Sequence, residues 1–333
     1  MSGPHDLFVR YTFDHPERAA AELRAVLPPK MVEQVDWSTL RREVGSVVDA
    51  ELKERQSDLL FSARLRSGEP LLLYILLEHQ SSVDKWMAFR MLLYVMRLLE
   101  RWRQQHPESE KLPVILPVVM YHGPEGQWTA ARRMEDLFQL PSEALEIWRE
   151  QVPRFEYLLD NLTAEREEAL RAREASPLVV LTWLLLRSGR SRQLAMLLEG
   201  WSPVLAEVLV SPEGPEYLRS AVHYLHKVGP EGALEALWRV LDSVAREQKA
   251  EEVMTSFKLE FLEEARIKGL LEGQAVGRAE SVLRVLVSRG IPVDEKTHQR
   301  ILACRDLAIL DRWLERASRA TSLSDLEELK QNG

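Results

Sequence analysis

Two hydrophobic runs separated by a turn stand out in the first third of the chain: SDLLFSARL (57–65) and LLLYILLEHQ (71–80), with RSGEP between them. Runs of this length joined by a Gly- and Pro-bearing turn predict two antiparallel strands. The second is apolar from Leu71 to Leu77, which predicts a buried strand, yet it ends on Glu78, His79 and Gln80 without a turn residue. VDKWMAFRMLLYVMRLLERWRQQH (83–106) then shows the 3.6-residue period of a long helix, with Asp84 as an N-cap and His106–Pro107 at its end. LPVILPVVMYHG (112–123) reads as a third strand, pushed toward a sheet edge or a bulge by Pro113 and Pro117. QVPRFEYLLDNL (151–162) adds a further short strand. Upstream, PERAAAELRAVLP predicts a helix between Pro16 and Pro28–Pro29, and DWSTLRREVGS a short helical turn capped by Ser38. The order of elements predicts an α/β fold, a mixed sheet with helices packed on it.

From about residue 163 the pattern becomes helical throughout, with Ser, Gly and Pro between segments and no fixed repeat period. Residues 251–289 read as one long helix, followed by two or three short ones, the last capped by Ser322 or Ser324. The expected organisation is a mixed α/β domain over 1–162, a helical region over 163–250, and a long helix with a helical hairpin over 251–333 that serves oligomerisation or partner binding. Gly269, Gly273 and Gly277 recur every four residues in that long helix, each at a cost of about 1 kcal/mol relative to Ala. They predict either close approach of another helix, including one from a second copy of the chain, or a loosely folded linker.

The chain has 333 residues and a net charge of −8, which excludes a histone-like basic binder but leaves room for an enzyme with a local basic patch. Residues 1–140 carry 18 Lys and Arg against 20 Asp and Glu, and residues 141–333 carry 26 against 32, so the acidic excess lies mostly in the second half. No apolar run is long enough to span a bilayer, so no membrane association is expected. MSGPHDLFVRYTF lacks a basic region followed by an apolar one, and the single cysteine, Cys304, fits a reducing cytoplasm and a core position.

Strand alternation puts Glu78 and Gln80 on one face and His79 on the other. Asp58 opens the preceding strand, and pairing about residue 68 sets it opposite Glu78, since both lie ten residues away. Two adjacent carboxylates repel unless one is protonated or a cation bridges them. An all-oxygen pair suits Mg²⁺ or Mn²⁺, which can clamp a phosphate oxygen and acidify water, as phosphodiester hydrolysis needs. The plain alternative is a solvated carboxylate at a strand end.

The segments HDLFVRYTFDHPERAAAELRAVLP (5–28), RQSDLLFSARLRSGEPLLLYILLEHQSS (55–82), MAFRMLLYVMRL (87–98) and LPVVMYHGPEGQW (116–128) resemble the Rpn family of recombination-promoting nucleases, also called YhgA-like transposases. The resemblance covers about residues 5–160. It implies a PD-(D/E)XK-type mixed β-sheet flanked by helices, followed by an all-α C-terminal region. It also implies a metal-dependent DNA endonuclease that uses Mg²⁺ or Mn²⁺. Asp58 would be the metal-binding Asp, Glu78 the acidic member of the triplet, His79 a backbone-carbonyl ligand, and Gln80 the residue where most of the superfamily has Lys. An amide carries no positive charge and is no base at neutral pH, so Gln80 can only orient water or a phosphate oxygen. After HDLF a Lys is expected, and the chain has Val9 and Arg10 instead.

Arg90, Tyr94, Arg97 and Arg101 share one helix face and are candidate DNA contacts, or an ordinary solvent-facing stripe. His5 and Asp6 are candidate additional site residues, or a helix cap, and His122 follows the third strand as a candidate cleft residue. The reading is a DNA endonuclease working as a homodimer through its C-terminal helices. The rivals are a catalytically silent interaction protein of the same fold, which the missing Lys favours, and a transposase.

Overall fold

The computed structural model describes residues 3–43, 59–78, 83–123, 127–139, 141–148 and 150–325. Three short helices, α1 (Pro4–Phe13), α2 (Pro16–Val26) and α3 (Pro29–Gln34), lead into strands β1 (Val35–Arg42), β2 (Leu59–Leu65) and β3 (Pro70–Glu78). Helix α4 (Met87–Gln105), strand β4 (Val114–Tyr121), helix α5 (Ser142–Ile147) and strand β5 (Leu158–Asn161) complete the sheet region. The five strands lie in the order β1-β2-β3-β4-β5. Strand β2 runs antiparallel to both β1 and β3, while β3, β4 and β5 are mutually parallel. The fold is therefore α/β with a mixed sheet, and it is followed by an all-α region.

Strand β1 occupies the segment where the sequence predicted a helical turn. Val35 and Leu40 are its buried residues, and Asp36 accepts the backbone N–H and hydroxyl of Ser38, so the polar residues that mimic a cap serve a half-exposed edge strand. Pro113 precedes β4, and Pro117 within it is accommodated because β5 pairs only with Val118–Tyr121. Pro117 thus sits where β4 is an edge on that side, although β3 covers its other side.

Helix α4 packs on one sheet face through Met87, Met91, Tyr94 and Leu98, which cluster with Leu60, Val119 and Tyr157. Helix α2 touches both edge strands, β1 and β5, as well as α7, so it crosses the other face. The remaining helices are α6 (Glu167–Arg171), α7 (Pro177–Ser188), α8 (Leu194–Gly200), α9 (Ser202–Val210), α10 (Gly214–Val228) and α11 (Ala233–Glu247). Helix α7 is buried along almost all of its length, as an apolar-all-round helix must be. It is fastened to the N-terminal helices and to α10 by hydrogen bonds: Thr182 Oγ1 to Thr12 Oγ1 at 3.1 Å and to the Tyr217 hydroxyl of α10 at 2.6 Å, and Trp183 Nε1 to Glu22 Oε2 at 2.6 Å. Residues 1–254 accordingly form one compact unit.

Residues 255–333 form a second unit. It contains most of α12 (Glu251–Ser288), then α13 (Glu295–Ala303) and α14 (Leu307–Arg319), packed around Ala279, Val282, Leu286, Ile301, Leu310 and Trp313. Asp294 and Asp306 cap α13 and α14 by accepting first-turn N–H groups. A Cβ added at Gly269, Gly273 or Gly277 would meet nothing within 4 Å, so no part of the described chain makes the close approach these glycines suggested. No described helix is long and apolar enough to cross a membrane.

Candidate active site

Strand β3 is an internal strand, with β2 antiparallel on one side and β4 parallel on the other. Its unbroken apolar sequence follows from that position, since helices cover both faces of the sheet. Glu78 is its last residue, in register with Tyr121 of β4. The described residues of β2 begin at Leu59, in register with Ile75. Asp58, His79 and Gln80, and the side chain of Glu78, lie outside what the structure describes. Among the described residues no group of three or more His, Cys, Asp or Glu is arranged to hold a metal.

The hairpin register corrects the sequence arithmetic. Leu59 pairs with Ile75 and Arg64 with Pro70, so paired positions sum to 134, and the count from the sequence would have them sum to 136. The cause is the turn. Leu65 N–H donates to Glu69 O at 2.8 Å, enclosing a three-residue loop in which Gly68 takes a φ of 105°. Three-residue hairpin loops place their left-handed residue last, which centres this turn on residue 67. The described pairing therefore turns about residue 67, one short of the centre counted from the sequence, and it begins at Leu59, so the pairing expected for Asp58 lies outside the described residues.

At the start of α4, Arg90 Nη1 bonds Asp84 Oδ2 at 2.6 Å, and both side chains are largely buried. Asp84 also accepts the Trp86 N–H, but Trp86 is the N-cap and no side chain caps the helix, so Asp84, expected as the N-cap, instead holds Arg90 from two residues upstream. Tyr94 is 2% exposed and belongs to the core between α4 and the sheet, so its ring packs and presents no face to solvent. Arg97 and Arg101 are half-buried further along the same helix.

At the end of β4, next in the sheet to the end of β3, His122 and His5 come together. Their ring centroids are 4.7 Å apart, and the Tyr224 hydroxyl lies 2.9 Å from His5 Nδ1. Both histidines are buried, and Arg190 donates to the His122 carbonyl at 2.6 Å. Burial pushes the Tyr224 hydroxyl well above its ordinary value, so it stays protonated. Gly123 is required here because a Cβ would collide with the Tyr121 ring. Asp6 serves the helix: it accepts the Gly3 N–H at 3.1 Å in a capping box. Sequence reasoning singled out His5 and His122 separately. It missed Tyr224 and Arg190, which reach them from a region more than 60 residues downstream of β4 with no local signal.

A second polar cluster, also missed, lies under α2. Arg173 donates to both oxygens of Asp160 at 2.8 Å, sits 5.0 Å from the Trp183 ring, and is close to Glu22, which is 0% exposed. Burial, and then the charge of Asp160, push the Glu22 carboxyl well above the ordinary carboxylate range. Because the folded-state value is raised, the stabilising contribution of Glu22 is complete below the unfolded value near about pH 4.3. It is lost as pH rises to and through the folded value. Glu22→Gln keeps an oxygen to accept the Trp183 N–H and carries no charge to bury. Its stability advantage over wild type is therefore expected to grow with pH, by up to about 1.4 kcal/mol per unit inside that window. Urea unfolding at a series of pH values measures this, and parallel profiles for the two proteins would rule the account out.

The described residues define an α/β protein with a mixed five-stranded sheet, whose internal strand β3 ends at Glu78, and a helical region after it. Residues 3–214 match the family model described as Putative transposase, YhgA-like, and the chain belongs to that family. It is 31% identical over 196 residues to Recombination-promoting nuclease RpnC of Escherichia coli K12, covering 59% of this chain and 62% of that protein. It is 30% identical over 198 residues to Recombination-promoting nuclease RpnD of Escherichia coli O157:H7, covering 60% and 72%. It is also 30% identical over 149 residues to Inactive recombination-promoting nuclease-like protein RpnE of Escherichia coli K12, covering 45% and 49%. The match to RpnC thus spans less than two thirds of that relative's length. No solved structure matches the chain.

Proposed function

We propose that the protein is a metal-dependent DNA endonuclease that hydrolyses phosphodiester bonds and promotes recombination. The observation that carries the reading is the ending of core strand β3 on Glu78, one strand away from the strand that Asp58 precedes, in a chain related to named nucleases. The donor set fits a hard divalent cation: two carboxylates and the His79 backbone carbonyl, all oxygen, would hold Mg²⁺ or Mn²⁺. Bound there, the cation supplies Lewis acidity toward a phosphate oxygen and toward water. Gln80 orients the water or a phosphate oxygen through its amide. Arg90, steadied by Asp84, offsets charge on the phosphate, and Arg97 lies along the same helix for the flanking backbone. His5 and His122 support this end of the sheet from beneath.

Nicking of supercoiled plasmid is the test. Activity is expected with Mg²⁺ or Mn²⁺ and none with EDTA. Activity that persists in EDTA would exclude the metal-dependent reading. A catalytically silent binding protein is the second reading, favoured by Gln80 in place of Lys and by a relative named as inactive. Absence of nicking with either metal, in a folded protein, would select it. A transposase is the third, and strand-transfer products would select that one.

One chain carries one such site, so cutting both strands calls for two chains. Leu259, Leu262 and Leu270 are 64%, 63% and 58% exposed on one face of α12, and they support pairing of two copies there. Sedimentation is expected to show a dimer in the wild type and a monomer in the Leu259→Glu, Leu262→Glu, Leu270→Glu triple variant. A monomeric wild type would remove this assembly.

A further inference from the structure

Helix α4 covers only part of its sheet face. On β1 and β2 the residues of that face beyond Leu60 include Arg41, Ser62, and Arg64 with its partner Asp36, while Phe61 and Ala63, on the opposite face, are buried. The alternation keeps one side of these two strands in the core and leaves the other wet. A groove of about 490 Å³ lies there, between β1–β2 and the C-terminal half of α4. Arg41 enters it from β1, Arg64 from β2 and Arg101 from α4, while Leu60 and Leu98 line it. At the helix end Trp102 and His106 stack with centroids 3.6 Å apart, and Trp102 Nε1 is buried without a hydrogen-bond partner among the described residues. Among the described lining residues Glu43 is the one carboxylate.

Three guanidinium groups brought from three elements onto one apolar-floored groove are a local concentration of positive charge in a chain of net charge −8. Arginine forks match phosphate geometry, and the apolar floor with its aromatic wall suits a base. The groove is comparable in volume to a site for one small ligand, too small to admit a duplex. Along β3, the span from Pro70, which lines the groove, to Glu78 is eight residues, or roughly 26 Å at 3.3 Å per residue. That equals about seven or eight stacked nucleotides at 3.4 Å each.

We infer that this groove binds the backbone of an unpaired DNA strand, flanking the position to be cut by about seven nucleotides. The inference rests on the nuclease reading for its second half only, since binding is measured without cleavage. The probe is a fluorescein-labelled 20-nucleotide single strand, titrated by fluorescence anisotropy in EDTA across a salt series. Each phosphate neutralised on a single strand contributes about 0.7 to the slope of log K against log salt. The Arg41→Gln, Arg101→Gln double variant is expected to lose about 1.4 from that slope. Binding at 0.1 M salt then falls by roughly 25-fold relative to wild type, with the two converging toward 1 M. The Arg41→Lys, Arg101→Lys variant keeps both charges and is expected to retain the slope, which separates charge from folding damage. An unchanged slope in the Gln variant, tighter binding of the matching duplex than of the single strand, or no binding by wild type at low salt would each overturn the groove. Plasmid nicking with an unchanged slope overturns the groove alone. Groove-dependent binding without nicking overturns the nuclease alone.

Discussion

Replacing Glu78 or Asp58 with alanine is expected to reduce plasmid nicking by at least about 10³-fold while the protein keeps its fold. Electrostatic stabilisers of a reacting centre are worth about 10²–10³ each when removed singly, and loss of a carboxylate from a two-carboxylate set also weakens the cation itself. Neither substitution is expected to cost stability in EDTA. Two neighbouring carboxylates without a cation repel, so removing one relieves that repulsion. The metal leaves a second signature that does not depend on catalysis. A cation that binds only the folded protein stabilises it by about 2.7 kcal/mol at a hundredfold excess over its Kd. Wild-type protein should therefore melt several degrees higher in Mn²⁺ than in EDTA, and both variants should lose that increment. Nicking at the wild-type rate by both variants would remove Asp58 and Glu78 from the site. Lost nicking with an intact metal-dependent melting shift would move the cation elsewhere and leave the two carboxylates some other role.

The parts of this protein that could be read from sequence are those whose hydrophobic pattern has no competitor. Strand β3, helix α4 and the long helix α12 have runs and periods that admit one element type. Strand β1 does not: its polar Asp36, Ser38 and Thr39 hydrogen-bond locally, and the same residues signal a cap in one context and an edge strand in another. The hairpin was legible, but its register was not. Register depends on which loop residue takes the left-handed conformation, and the sequence shows a glycine without showing its place in the loop. Tyr94 falls on the arginine stripe by spacing, yet it is the core residue of that row, because tyrosine satisfies both kinds of position. The links from α7 to α1 and α2 join residues more than 160 positions apart, and no local pattern encodes them. For the candidate site, the sequence offers residue types and strand ends as an expectation, and Asp58, His79 and Gln80 lie outside the described residues. Tyr224 and Arg190, which meet His5 and His122, come from α10 and from the turn after α7, segments that looked like plain packing.

Replacing Arg173 with alanine is expected to be the most damaging single change in the first unit, at about 3–5 kcal/mol. Asp160 is 4% exposed at the side chain, and both of its oxygens are held by Arg173 at 2.8 Å. Without the guanidinium, a buried carboxylate is left beside the buried Glu22 with no cation to offset it, which is the costly half of a buried ion pair. The loss also takes the cation from the Trp183 ring, and Trp183 is the residue whose N–H ties α7 to α2. Replacing both partners tests whether charge is the cause. Arg173→Met with Asp160→Leu removes both charges of the pair and should recover most of the loss, since apolar replacements of a buried pair are often neutral. The surface pair Arg132–Glu156 offers the contrast. Its side chains are 46% and 43% exposed, and removing Glu156 should cost no more than about 1 kcal/mol. Urea unfolding of the four proteins decides the matter: a loss below about 1 kcal/mol for Arg173→Ala, or a double variant no better than the single, would mean that Arg173 does not hold the helical region to the sheet through its charge.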